Sequence, residues 1–469
     1  MIIKKSTLYN VCDFGAIGDG KTVQTENINS AIDKLSSEGG GELYFPSGTY
    51  LTGTVVLKSN VILNLSAGAR IRSTGDKGDY LPDEQTKNSI FEGEECMSGA
   101  LIWGENLKNI GIIGQGVIDG NGIKLTAGKN AYLYTEGQNH FADEACGYYT
   151  SWRPFTLKLF NCENVALKGV SFTNPASWNV GMTMCQDVFC DGLNIKSYNF
   201  FNGDGLDFCS CERVFVSNCT FDCTDDCIAL QSAFPDKTCK NIQINNCYFK
   251  TLQAGIRVGM ACLGKFESIC VSNCIFEDCA CSGLKIQQCE GGKMENLIFR
   301  GLVMKNVARP FFFTHNAYEC TAKSLRKEGW KFGERGTLKN VIISDCIINN
   351  EKEFENGGLI FDGEDGFVIS DFIIENVMYG FCGKKRYEIE VKSLKGRRPE
   401  ADVYGGALCG ELFFRNCENF IIKNLYVSNS DNKNVRDALL KNCNNFNFEN
   451  CNIPENKITV KDSNNINIT

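Results

Sequence analysis

The 469-residue chain carries 48 Lys and Arg against 56 Asp and Glu, a formal charge of −8, with 43% hydrophobic residues and only 8 prolines. Such a composition builds a core without long disordered stretches, and its acidity offers a phosphate backbone no basic patch, so nucleic acid is not an expected partner. No apolar run is long enough for a membrane span, and the opening IIKKSTLYNVCDFG has no leader-like apolar region, so a cytoplasmic location is expected.

Cysteine usage agrees with that location. The 26 cysteines lie in a long chain with ample core, without paired CxxC modules at zinc spacing and with only two histidines, His140 and His315. Reduced packing thiols are the expected role, with no metal and no cofactor.

In chain order, TVQTENINSAIDKLSSEGGG sets Ile28, Ala31, Ile32 and Leu35 on one helical face before a glycine stop. This predicts a short amphipathic helix capping the first coil of a solenoid, with residues 1–75 forming cap and first coils. From about residue 150 to 469 a short β pattern recurs, as in NVALKGVSFTN, RVFVSNCTFDC and SICVSNCIFEDC. Phe172, Ile195, Phe221, Phe249 and Phe276 mark a period in the twenties with Asn and Gly turns, the pattern of stacked β-coils. The fold class expected is all-β, one right-handed parallel β-helix over residues 1–469. Cys219, Cys247, Cys274 and Cys346 each precede the marker position by two and are expected to point inward with it. Insertions at 76–97, 124–149, 321–336 and 384–406 interrupt the repeat and are expected as loops walling a groove.

Two segments carry chemistry. FNGDGLDFC holds Asn202, Asp204 and Asp207, and CTDDCIAL holds Asp225 and Asp226. Asp204 and Asp226 are about one coil apart, so they should lie on neighbouring rungs roughly 4.8 Å apart along the axis. With lateral offset, the separation can reach the ~6.5–9.5 Å of inverting glycosidases, where one carboxylic acid protonates the leaving oxygen and the other carboxylate activates water. Crowded like charges help keep one carboxyl protonated. Turn-forming aspartates or a calcium site are the alternatives on residues alone.

Over most of its length the chain resembles glycoside hydrolase family 28, the polygalacturonase-like enzymes, and their pectin-lyase-like relatives. The opening NVCDFGAIGDGKT resembles the entry segment of that group, and RPFTLKLFNCENVALKGVSFTNPASWNV, with Arg153, Pro154 and Trp178, resembles the coils before the family's active site. NGDGLD and DDCIAL match its two aspartate motifs in order and spacing. The resemblance implies inverting hydrolysis of pectic, galacturonate-type oligosaccharides, with Asp225 as general acid, Asp204 and Asp226 activating water, and Asn202 orienting a neighbouring carboxylate.

The chain departs from the family pattern in three motifs. Gly203 stands where the family has Thr. The Gly-His-Gly motif falls on Gln253, Ala254 and Gly255, so its histidine is missing, and Arg-Ile-Lys becomes Lys285-Ile286-Gln287. Arg257, two residues past Gly255 and expected on the same side of the strand, offers a bidentate fork to a carboxylate as a partial replacement. Gln253, Arg257, Lys285 and Gln287 are therefore the expected substrate-binding set. A hydrolase or transferase on another, neutral sugar, a uronate lyase, and an inert carbohydrate-binding solenoid remain the alternatives.

Overall fold

The computed structural model describes residues 7–86, 90–91, 97–122, 125, 152–197, 202–354, 356–383, 408, 410–430 and 437–469. The predicted segments 124–149 and 384–406, with the basic KGRRPE run and His140, therefore lie outside the described residues apart from Leu125. The chain divides into two compact units, 1–226 and 227–469.

In the first unit three ladders of parallel strands run side by side. One passes from Thr7–Asn10 through Gly41–Phe45, Val61–Leu65, Lys108–Gly114, Glu163–Lys168 and Gln186–Asp191 to Glu212–Ser217. A second stacks Ala100–Glu105, Phe155–Phe160, Val180–Thr183 and Leu206–Cys209. The third ends Ser171–Thr173, Asn194–Ser197 and Thr220–Cys223, in a register that sets Phe172 beside Ile195 and Ile195 beside Phe221. The helix Thr25–Ser37 buries Ile28, Ala31, Ile32 and Leu35, the predicted face, and contacts the first strands of the stack.

The second unit repeats the plan. Ile228–Ser232, Ala254–Cys262, Ser282–Gln288, Arg309–His315, Leu359–Gly363 and Leu412–Arg415 form one parallel ladder. Phe249 pairs with Phe276, Phe276 with Met304 and Met304 with Ile348, which continues the marker column. The fold is a right-handed parallel β-helix.

The coil interior explains the cysteines. Cys219, Cys247, Cys274 and Cys346 are buried, each with its Sγ donating to the carbonyl two residues before it. None of the 23 described cysteines is in a disulfide. At the outer turns, asparagines adopt positive φ and stack amide on amide. Asn164 Nδ2 donates to Asn109 Oδ1 at 2.8 Å and Asn109 Nδ2 to Asn60 Oδ1 at 2.7 Å in the first unit. In the second, Asn465, Asn445, Asn419 and Asp371 form a similar chain. Asparagine tolerates this left-handed conformation, and its amide donates and accepts at once.

Candidate active site

The predicted carboxylates meet in the first unit. Asp204 lies two residues before the first core-facing residue of Leu206–Cys209, and the Asp226 carbonyl accepts from the Gly205 amide at 2.9 Å, tying the two acidic turns together. One carboxylate oxygen from each of Asp204, Asp225 and Asp226 falls within 4.8 Å of the others. The Gly205–Asp226 bond sets the Asp225–Asp226 turn against the entry to the Asp204 strand. Asp204 and Asp226 are each 1% exposed and Asp225 is half-buried, so one member of the trio faces outward while two form the floor.

Around them the turn is firmly held. Asp225 Oδ1 accepts from the Asp226 amide at 3.0 Å. Asn202, at φ 52°, accepts from Arg153 Nη2 at 3.1 Å, so the buried arginine fixes the turn that delivers Asp204. Gly203 has a local cause: a Cβ there would meet Thr224 Oγ1 at 2.1 Å and the Ser197 side chain at 3.1 Å. The Thr224 hydroxyl fills the space that a side chain at 203 would take.

Next to this turn, the Asn179 amide donates to the Asp204 carbonyl at 3.1 Å. Trp178 packs edge-on against Phe155 and Phe91, and its buried indole N–H has no partner among the described residues. Lys158 lies with its Nζ 4.5 Å from the Phe155 ring centroid, and burial lowers its pKa to about 7. Its register continues through Gly181 to Asp207 on the same strand ladder. Sequence reasoning gave Lys158 and Asp207 no role; the available signal was a lysine alternating with Leu157 and Leu159 in a strand whose neighbours are core residues.

The other predicted residues belong to the second unit. Arg257 pairs in register with Lys285, and Lys285 with Phe312; Gln287 lies between Gly259 and Thr314. Arg257, Lys285, Gln253 and Gln287 are all buried. Arg257 does not share a side with Gly255. A Cβ at 255 would strike the Phe276 ring in the core at 2.4 Å, while Arg257 alternates with core-facing Ile256 and Val258. The register passes from Ala254 to Ile256 without pairing Gly255, so the two-residue alternation fails at this end of the strand.

His315 is also buried. Its Nδ1 lies 2.9 Å from the Val368 carbonyl oxygen, its ring meets Phe367 edge-on, and burial lowers its pKa to about 4. Of the neighbouring phenylalanines, Phe311 and Phe313 are fully buried in the core, whereas Phe312 joins Ile360, Leu408 and Phe413 in a separate cluster.

Comparison with known proteins gives this geometry a family. The chain is 26% identical over 383 residues to the exo-poly-alpha-D-galacturonosidase of Dickeya chrysanthemi, covering 73% of this chain and 63% of that protein. It is 26% identical over 328 residues to a probable polygalacturonase of Vitis vinifera, covering 66% of this chain and 62% of that one. The alignments thus span under two thirds of either relative. Among solved structures, the family 28 exopolygalacturonase of Yersinia enterocolitica superposes with a TM-score of 0.71 at 20% identity, over 98% of this chain and 78% of that one, a likeness of fold. The family model for glycosyl hydrolases family 28 matches residues 83–390, which is more than half of the sequence and includes every predicted site residue. The chain belongs to glycosyl hydrolases family 28.

Proposed function

We propose that the protein hydrolyses galacturonate-type pectic oligosaccharides by single displacement, and the observation that carries this is the convergence of Asp204, Asp225 and Asp226 within 4.8 Å. Three carboxylates that close disfavour full ionisation, so a proton is retained on one of them. Asp225, the most open of the three, gives that proton to the leaving glycosidic oxygen. Asp204 and Asp226 together take a proton from a water molecule as its oxygen bonds to the anomeric carbon, which inverts the centre. Arg153 and Asn202 hold the Asp204 turn in place.

The sugar class rests on family membership and on the two galacturonan-cleaving relatives, together with the buried cations Arg257 and Lys285, which suit a sugar carboxylate. A cytosolic, reducing location is part of the same proposal, supported by the thiol form of the described cysteines. Cell fractionation checks it, and recovery of a disulfide-linked extracellular form would overturn it.

Incubation with oligogalacturonides, followed by proton NMR at the anomeric position and by ultraviolet absorbance, tests the reaction. New reducing ends of inverted configuration without unsaturated product are expected. Oxygens this close also suit a hard cation, so the assay is run with and without chelator. A chelator-sensitive unsaturated product would replace hydrolysis with a lyase reading.

A further inference from the structure

Building on the pectic reading, we propose that Arg309 is a further receptor for a uronate carboxylate of the substrate, supplying a positive charge where the neutral Gln253 and Gln287 have none. Arg309 opens the strand Arg309–His315, where register sets it beside Ser282, and Ser282 beside Ala254. It is 4% exposed. Its Nη2 donates to Cys281 Sγ at 2.8 Å and its guanidinium carbon lies 5.2 Å from the Phe312 ring centroid, while Nε is buried without a hydrogen-bond partner among the described residues.

A thiol and an aromatic face are weak company for a group that stays charged at every accessible pH. Arg415, on the same strand ladder and similarly buried, shows the ordinary solution: it forks onto Asp362 at 2.6 and 2.9 Å. Arg309 makes no such ion pair among the described residues. A planar donor set buried with an unused N–H and no counter-charge among the described residues is suited to an incoming carboxylate.

Its location supports that role. Cys281 adjoins Ser282, whose amide donates to the Gln253 carbonyl at 2.9 Å, so the guanidinium stands at the corner where the family histidine is missing. On its other side, Phe312 pairs with Lys285 and Lys285 with Arg257. Three buried cations thus occupy three consecutive strands of the second unit. The residues at Arg309's own coil position in the two preceding coils, Ala254 and Ser282, are small.

The test compares wild type, Arg309→Met and Arg309→Lys on trigalacturonate and on its methyl ester, with thermal melts to confirm folding. Removing one charge-assisted hydrogen-bonding partner should raise KM of the Met variant about 10- to 100-fold on the acid with kcat nearly unchanged. The Lys variant, which keeps charge but not the fork, should show a smaller rise, and neither variant should differ from wild type on the ester. An unchanged KM on the acid, or an equal rise on acid and ester, overturns the assignment. Should the Met variant fail to fold, an unchanged KM in the Lys variant does the same. A wild type inactive on both substrates overturns the pectic reading and this inference with it, whereas an active wild type with indifferent variants overturns only the role of Arg309.

Discussion

The outer asparagine turns and the acidic turn are built from the same coil geometry and use it in opposite ways. At the asparagine turns one residue type recurs coil after coil, exposed and satisfied by its own copies, as in Asn164, Asn109 and Asn60. At the acidic turn the side chains are charged and buried, as with Asp204 and Asp226. Repetition at one coil position signals packing, because stacked copies lower each other's energy. A break in that repetition that buries charge opposes stability, and such a cost persists where chemistry needs it.

The sharpest way to break this contrast is Asp225→Asn. If the acidic turn is held for chemistry, turnover should fall about 10²- to 10⁴-fold with an unchanged melting temperature. Wild-type turnover in the folded variant would show the turn to be structural.

Buried charge that is fully paired should behave differently. Arg415 and Asp362 form a forked pair almost without exposure. Arg415→Met removes the forked cation from a buried carboxylate and should cost about 3–5 kcal/mol, while the double change Asp362→Leu with Arg415→Met should recover most of it. Denaturant titration of both variants measures the difference. A double variant as weak as the single one would show that lost packing, not a stranded charge, sets the cost.

His315 sharpens the contrast through pH. Its pKa is lowered to about 4 in the folded protein against about 6.5 in an unfolded chain. The unfolded state therefore binds more protons between those values, so stability should be intact above about pH 6.5 and decline as pH falls towards 4, by up to about 3 kcal/mol. His315→Gln should flatten that part of the stability profile. A profile unaltered by the substitution would place the acid sensitivity elsewhere.

Much of this was legible in the sequence, for reasons that also show its limits. The column from Phe172 to Phe276, the inward cysteines and the buried face of the first helix follow from periodicity, since each coil must bury the same positions. Asp204, Asp225 and Asp226 were legible because two acidic turns fall about one coil apart. The convergence of all three on one point was not, since lateral offset at a turn leaves no trace in residue spacing. Nor was the side taken by Arg257, because alternation fails where the register skips Gly255 at the start of the strand. Lys158 and Arg309 look like ordinary strand and turn cations until burial is known. Gly203 reads as a simple departure until Thr224 is seen to occupy its space.

The smallest effect isolates what the repeated turns contribute. Asn419 has a φ of 58°, donates to Asp371 at 2.9 Å and accepts from Asn445 at 3.0 Å. Asn419→Ala removes both bonds and places a Cβ-bearing residue without a compensating amide in the left-handed region, so it should cost about 1–2 kcal/mol. Asn419→Gly removes the same two bonds but relaxes the backbone, so it should cost less. If the two variants are equally destabilised, the amide stack dominates; if glycine approaches wild type, conformation does. Either result should leave turnover unchanged, because this turn holds the coils in register and carries no chemistry. A fall in turnover without a fall in stability would erase the distinction between the two kinds of turn.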